Sequence, residues 1–332
     1  MKKYNIAVVG ATGMVGSKFL QVFEERKLPV NEFFLFASAK SAGKAVKFMG
    51  KDHTVIELKE ENIKDKKIDF AVFSAGGSVS KEYAPVFAKY GTVVVDNSSQ
   101  WRTDPSVPLV VPEVNAAAAK AHHGIIANPN CSTIQAVVAL KPLHDKYKIK
   151  RIVYSTYQAV SGAGVQGYDD LKQGANGVPP KKFPYPIFGN VIPQIDVFLP
   201  NGYTKEEEKM IFETKKILED FSLKITATTV RVPVFHGHSE SINVEFFNPV
   251  TLEGVKDALK NAPGIIMHDD PTNLVYPMPL KCEDTDEVYV GRVRIDETVD
   301  SGINMFVVAD NIRKGAATNA IQIVEYLIKD AD

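Results

Sequence analysis

Cys131 stands in the run Asn128-Pro129-Asn130-Cys131-Ser132-Thr133. The apolar run Ile125–Ala127 before it reads as a strand, and Ile134, Val137 and Val138 behind it carry helical spacing. Asn130 is a suitable N-cap, which puts Cys131 in the first turn of a helix. Free N–H groups and the positive helix end there stabilise a thiolate. A thiolate of this kind adds to an aldehyde to give a thiohemiacetal, and loss of hydride turns that adduct into a thioester. A base must take the protons. Seven histidines compete for that role: His53, His122, His123, His144, His236, His238 and His268. The segment Arg231–Ser239 carries two of them at the end of a long strand pattern, with Arg231 as a fixed cation suited to a carboxylate. His236, two residues from His238, is expected to point to the opposite sheet face if the strand continues, and is the control for the base assignment. Cys282 lacks the strand–turn–helix setting and reads as structural.

A hydride acceptor is also encoded. Gly10-Ala11-Thr12-Gly13-Met14-Val15-Gly16 follows the strand Ile6–Val9 and opens the helix Met14–Lys27. Its G-x-x-G-x-x-G spacing is a variant of the dinucleotide fingerprint, in the context that the fingerprint requires. NAD-preferring sites place Asp or Glu at the end of the second strand, about 20 residues on. Here Phe33–Ala37 ends in Ser38-Ala39-Lys40-Ser41-Ala42-Gly43, with no acidic residue. Ser38, Lys40 and Ser41 suit a 2′-phosphate instead, so NADP is favoured. A second small-residue turn, Ser74-Ala75-Gly76-Gly77, places Ala75 and Gly76 where strand ends face the cofactor.

The elements that must hold these residues fall into two patterns. Up to residue 127, short apolar strands (Ile6–Val9, Phe33–Ala37, Val55–Leu58, Ile68–Ser74, Thr92–Val95, Leu109–Val111, Ile125–Ala127) alternate with helices such as Met14–Lys27 and Lys81–Tyr90. That is an α/β doubly wound sheet of Rossmann type. From about 150, longer strands appear at Arg151–Ala159, Lys224–Val234, Ser241–Phe247, Glu287–Arg294 and Asn304–Ala309. Helices Lys205–Phe221 and Leu252–Asn261 lie among them, which predicts an α+β domain with a mostly antiparallel sheet. The Pro/Gly-rich segment Gly174–Pro200 is too long for a plain connection and is expected to be a cover, an arm or a contact surface. An amphipathic helix, Arg313–Ile328, is expected to return to the first domain. The predicted domains are thus 1–128 with 313–332, and 129–312.

Composition agrees with this reading and adds exclusions. A chain of 332 residues suits two domains, and 45% hydrophobic residues can build a core without metal or disulfide staples. Lys plus Arg is 39 against 40 for Asp plus Glu, giving a net charge of −1. That balance offers no footprint for nucleic acid or an anionic membrane. Two cysteines, no apolar run approaching roughly 18 residues and no leader-like start predict a cytoplasmic protein.

The motifs together resemble the aspartate-β-semialdehyde dehydrogenase family of the bacterial type, along essentially the whole chain. The resemblance is carried by Gly10–Gly16, Ser38–Gly43, Asp96–Ser99 with Arg102, Val111–Asn115, Asn128–Thr133, Gln158–Gly164, Glu213–Lys216, Arg231–Ser239 and Asp310–Ala317. It implies NADPH-dependent reductive dephosphorylation of L-aspartyl 4-phosphate to aspartate semialdehyde, towards lysine, methionine and threonine, by a homodimer or homotetramer. It also implies roles. Cys131 is then the nucleophile, His238 the acid/base and Gln158 the residue that orients the acyl group. Arg231 takes the substrate carboxylate and Glu213 the amino group, while Arg102, Lys216 and Asn130 take phosphate. Gly10, Thr12, Gly13, Met14, Val15, Ser38, Lys40, Ser41, Ala75, Gly76, Ser161, Gly162 and Asn311 form the NADP site, and no metal is implied.

The main rival is N-acetyl-glutamyl-phosphate reductase, whose acylated substrate needs no partner for a free amino group. A glyceraldehyde-type dehydrogenase lacks support because no acidic ribose ligand follows the second strand. A Cys/His hydrolase or a non-catalytic NADP-binding regulator would be revealed by failure to bind NADPH or by an inconsequential Cys131.

Overall fold

The computed structural model describes residues 2–331. The chain divides into two compact units. The first holds residues up to Pro129 together with those from Ala316 on, and the second runs from Asn130 to Gly315.

In the first unit, β1 (Tyr4–Val9), α1 (Met14–Arg26) and β2 (Val30–Ala37) are followed by a small hairpin, β3 (Ala45–Phe48) and β4 (Lys51–Thr54). Then come β5 (Ile56–Glu57), β6 (Phe70–Phe73), α2 (Gly77–Lys89), β7 (Val93–Asp96), α3 (Pro112–Asn115) and β8 (Ile125–Ala127). The sheet order is β5-β2-β1-β6-β7-β8, and every neighbouring pair is parallel. This order reverses direction between β1 and β6, the switch point at which such sheets bind ligands. Both faces are covered, so the strands are apolar throughout rather than alternating. Phe19 and Phe23 of α1 and Ile321, Val324 and Ile328 from the chain's end cover one face. Ala84 and Phe87 of α2 cover the other, with Phe87 edge-on to Phe36 and Phe73.

The second unit contains α4 (Cys131–Tyr147), β9 (Ile149–Gln158), α5 (Gly164–Gly174), α6 (Lys205–Ile217), β10 (Lys224–Arg231), β11 (His238–Phe246), α7 (Leu252–Lys260), β12 (Ile265–Met267), α8 (Pro279–Cys282), β13 (Val288–Ile295) and β14 (Gly302–Ala309). Its sheet order is β10-β9-β11-β14-β13-β12. The three central pairs are antiparallel, and the pairs at each edge, β10 with β9 and β12 with β13, are parallel. The sheet is therefore mixed, with an antiparallel middle.

Several predicted elements change. Leu109–Val111 makes no strand; Leu109 forms a single isolated bridge to Ala127, because the chain turns into α3 at Pro112. The long strand expected over Lys224–Val234 stops at Arg231, and β11 starts at His238, three residues before the expected Ser241. The expected terminal helix begins as a π-helical turn, Arg313–Ala317, followed by α9 (Thr318–Ala331). The Pro/Gly-rich segment carries no regular element between α5 and α6. It is pinned at its start by Asp170, whose carboxylate accepts the backbone N–H groups of Lys181, Lys182 and Phe183. Among the described residues no helix is long and apolar enough to cross a membrane.

Candidate active site

The nucleotide-binding features of the first unit meet at the switch point. Gly10 has φ +85°, and a Cβ there would lie 2.3 Å from the carbonyl oxygen of Ser74. A Cβ on Gly16 would lie 2.0 Å from the carbonyl oxygen of Gly10. Only glycine lets these turns close on one another, as the fingerprint requires. The N-cap of α1 is Gly13, without a side-chain cap, and its first turn carries no acidic residue. The leading N–H groups are left for an anion. Gly76, φ +89°, opens α2 in the same way beside Ala75. After β2, Ser38 and Lys40 are exposed and Ser41 is half-buried in a turn closed by its N–H on the Ser38 carbonyl. Thr12 is exposed, and Met14 and Val15 are half-buried. This set of groups fits a dinucleotide.

Arg102, also in the first unit, is not a surface cation. It is 7% exposed, and its Nε and Nη2 donate to the carbonyl oxygens of Asn128 and Asn97. Its guanidinium is thereby fixed in orientation.

In the second unit the helix start at Cys131 is built as the sequence predicts. Asn130 caps α4, its side-chain oxygen accepting from the N–H groups of Ser132 and Thr133. Two carboxylates from α6 hold the cap itself. Glu213 Oε2 accepts from the Asn130 backbone N–H at 2.6 Å, and Glu206 Oε1 accepts from its amide at 2.9 Å. Glu206 and Glu213 are seven residues, or two helical turns, apart and so share a face. Glu206 was not singled out by sequence reasoning, although that spacing marks it. Cys131 is the first residue of the helix, half-exposed and not in a disulfide. A Cβ on Gly315 would lie 2.9 Å from the Cys131 Cβ, so Gly315 is a close neighbour that the sequence did not reveal.

Three strand ends supply the rest. Gln158 closes β9 and donates from Nε2 to Ser132 Oγ at 2.6 Å and to Glu206 Oε1 at 3.3 Å. Arg231 closes β10, buried, with Nη1 on the carbonyl of Ala159 at 2.6 Å and its guanidinium over the Phe183 ring. His238 opens β11 and is fully buried, with Nδ1 accepting from the Ala159 N–H at 3.0 Å. One residue, Ala159, thus fixes both the guanidinium and the imidazole. Since Nδ1 accepts, the proton of the neutral ring sits on Nε2, which has no protein partner. Burial, and then the charge of Arg231, holds the imidazole well below its ordinary titration range. Gly162 lies against both groups: a Cβ there would lie 3.0 Å from Arg231 Nη1 and 3.2 Å from His238 Nε2. Asn311 bonds Ser161 Oγ and the Gly237 N–H, which brings Ser161, Gly162 and Asn311 to the same place.

Lys216 follows Glu213 by three on the inner side of α6 and is half-buried. His236 does not lie on a strand. Strand spacing would have put it on the same face as His238, since residues two apart share one. The turn at 232–237 removes it: His236 stacks near Tyr168 and lies 3.9 Å from a Glu283 carboxylate oxygen. Cys282 is buried with its thiol pushed up to about 12 by burial, as suits an inert residue.

Two family models cover most of the chain. The semialdehyde dehydrogenase NAD-binding domain matches residues 5–122, and the semialdehyde dehydrogenase dimerisation domain matches residues 140–314. The aspartate-semialdehyde dehydrogenase of Aquifex aeolicus is 57% identical over 98% of both chains. That of Bacillus subtilis is 45% identical over 98% of this chain and 97% of its own. The crystal structure of aspartate semialdehyde dehydrogenase II from Vibrio cholerae, complexed with ASA, is 47% identical, covers 99% of both chains and superposes with a TM-score of 0.95. The enzyme from Candida albicans with NADP is 29% identical, covers 98% of both chains and reaches 0.76. By these matches and by its own motifs, the chain belongs to the aspartate-semialdehyde dehydrogenase family.

Proposed function

We propose that this protein reduces L-aspartyl 4-phosphate to L-aspartate 4-semialdehyde with release of phosphate, using NADPH and a Cys131 thioester. The observation that carries the proposal is the helix start at Cys131 held by Asn130, Glu206 and Glu213, together with a neutral His238 whose Nε2–H is unengaged. The Cys131 thiolate attacks the acyl carbon, and the C–O bond to phosphate breaks, leaving a thioester. Gly10, Thr12, Gly13, Met14, Val15, Ala75, Gly76, Ser161, Gly162 and Asn311 would hold NADPH, which when bound would supply the hydride that reduces this acyl group. From its Nε2–H, His238 hydrogen-bonds the resulting oxyanion and keeps the proton as the oxyanion collapses, the C–S bond breaks, the aldehyde leaves and the Cys131 thiolate is restored. Gln158 orients the acyl group from its place between Ser132 and Glu206.

Arg231 binds the α-carboxylate and Glu213 the ammonium, through the carboxylate that also holds Asn130. Arg102, Lys216 and Asn130 bind phosphate. Ser38, Lys40 and Ser41 favour the 2′-phosphate of NADP, with no carboxylate there to repel it. The reading is tested by phosphate-dependent reduction of NADP⁺ with aspartate semialdehyde, run beside NAD⁺ and beside N-acetyl-glutamate semialdehyde. Faster turnover of the acetylated substrate would assign the chain to the rival reaction. In the same assay, Arg102→Leu raises the KM for phosphate by about tenfold or more, equivalent to roughly 1.5–3 kcal/mol for a charged hydrogen-bond partner. An unchanged KM removes Arg102 from the phosphate site.

The protein is a homodimer or homotetramer in this reading. The sheet face away from α4 and α6 is left partly open at Val153, Tyr157 and Phe306, and the arm exposes Tyr185, Phe188 and Phe198. An open sheet of this length calls for a cover. Phe306→Asp therefore yields monomers in sedimentation velocity; an intact oligomer places the contact elsewhere.

A further inference from the structure

In the first unit β7 and β8 run parallel and end side by side, with Asp96 paired to Ala127. The last bond of that ladder runs from the Asn128 N–H to the carbonyl of Asp96 at 2.8 Å. Just beyond it stand Asn97 and Asn128, whose carbonyls accept from Nη2 and Nε of Arg102. The strand pairing ends there, so the spacing of these two carbonyls depends on side chains. Asn128 Nδ2 donates to Asn97 Oδ1 at 2.7 Å and to the carbonyl of Ala316 at 3.1 Å. Asn128 Oδ1 accepts in turn from Nδ2 of Asn319, in the first turn of α9, at 2.7 Å. That same nitrogen donates to the carbonyl of Val110 at 3.0 Å. Carbonyl oxygens only accept, so Val110 and Ala316 decide which end of each amide faces its neighbour. Asn128 and Asn319 are both 0% exposed. Every polar atom of Asn128, in backbone and side chain, is thereby engaged. A buried network satisfied this completely specifies one arrangement.

We propose that Asn128 and Asn319 are positioning residues for the reaction: a relay of buried amides, from α9 through Asn128 to Asn97, holds the two carbonyls that orient the Arg102 guanidinium. Stability alone does not call for such a relay. Apolar groups of the same shape can replace a buried hydrogen-bonded pair at little cost. What the amides add is direction for the carbonyls around Arg102. A guanidinium is a planar fork, and its orientation decides whether it meets an oxyanion with two N–H groups or with one. Letting one carbonyl drift turns the fork while its charge stays in place. The proposal rests on the reading of Arg102 as a phosphate ligand, because aiming that group is its content.

A double-mutant cycle in phosphate-dependent reduction of NADP⁺ tests it. Asn319→Ala lowers kcat/KM for phosphate about 3- to 10-fold, the scale of coupling within one hydrogen-bond network. The loss lies in the KM for phosphate; kcat and the KM for semialdehyde are unchanged. In the Arg102→Leu background the same substitution changes kcat/KM for phosphate by less than about twofold, because no guanidinium is left to aim. The melting temperature falls in both backgrounds, since Val110 and Asn128 lose a donor in each. A purely structural role would lower the melting temperature and leave the phosphate KM at its wild-type value. That result, or an equal loss of kcat/KM in both backgrounds, overturns the proposal. Should Asn319→Ala not fold, Asn97→Ala cuts the relay at its half-buried end. A wild-type KM for phosphate in that variant also overturns the proposal. Arg102→Leu on its own separates the two failures: an unchanged phosphate KM there sinks the phosphate reading itself.

Discussion

Cys131→Ser abolishes reductive turnover while nucleotide binding persists. The expected fall in kcat is at least about 10⁴-fold, the scale seen when a catalytic nucleophile is removed. The serine variant is the sharper test because it disturbs so little. Asn130 still caps α4, Glu206 and Glu213 still hold the cap, and Ser132 still meets Gln158. A hydroxyl differs from a thiol chiefly in its reluctance to ionise at neutral pH, so a loss of rate reports on the thiolate and not on the fold. Intact-mass analysis of the wild type mixed with aspartate semialdehyde and NADP⁺, without phosphate, detects the acyl adduct; the serine variant shows none. Turnover of wild-type size in Cys131→Ser refutes the nucleophile assignment and would revive a chemistry without a covalent intermediate.

Local signals were legible because each carries its own physics. The glycine spacing at Gly10–Gly16 has one geometric solution when a strand precedes and a helix follows. An added Cβ at Gly10 or Gly16 would strike backbone. Asn130 is a cap by residue type, and caps act over two or three residues. What stayed hidden depends on pairings distant in sequence. Arg102 reads as a solvated cation until the carbonyls of Asn97 and Asn128 are seen around it. Glu213 and Lys216 read as a surface ion pair. The interior face of α6 becomes evident only when Asn130, 83 residues earlier, is found on Glu213. The break between β10 and β11 was also missed, since Val232, Val234 and Phe235 keep strand-like composition through a turn. On an unbroken strand His236 and His238, two residues apart, would share a face, so it is this turn and not strand alternation that separates them.

The identity of the base depends on that break. His238→Ala lowers kcat by about 10²–10⁴-fold, the range for loss of a general acid/base, whereas His236→Ala stays near wild type. His238 is fully buried, held by Ala159 through Nδ1 and by Gln135 through its carbonyl, with Nε2 toward Gly162 and Arg231. His236 faces Tyr168 and Glu283 instead. The shifted titration of His238 adds a second, independent readout. A native imidazole well below its unfolded pKa binds fewer protons than the unfolded chain as pH falls through about 6.5. The folded state therefore loses stability on the acid side of that value, and above it the two states are equally neutral and no difference remains. His238→Gln, which cannot take up that proton when unfolded, shows a shallower fall in melting temperature between pH 7 and pH 5. An equal slope in wild type and variant would mean that the ring is solvated and ordinary, and a larger kinetic loss in His236→Ala than in His238→Ala would move the base to the other histidine.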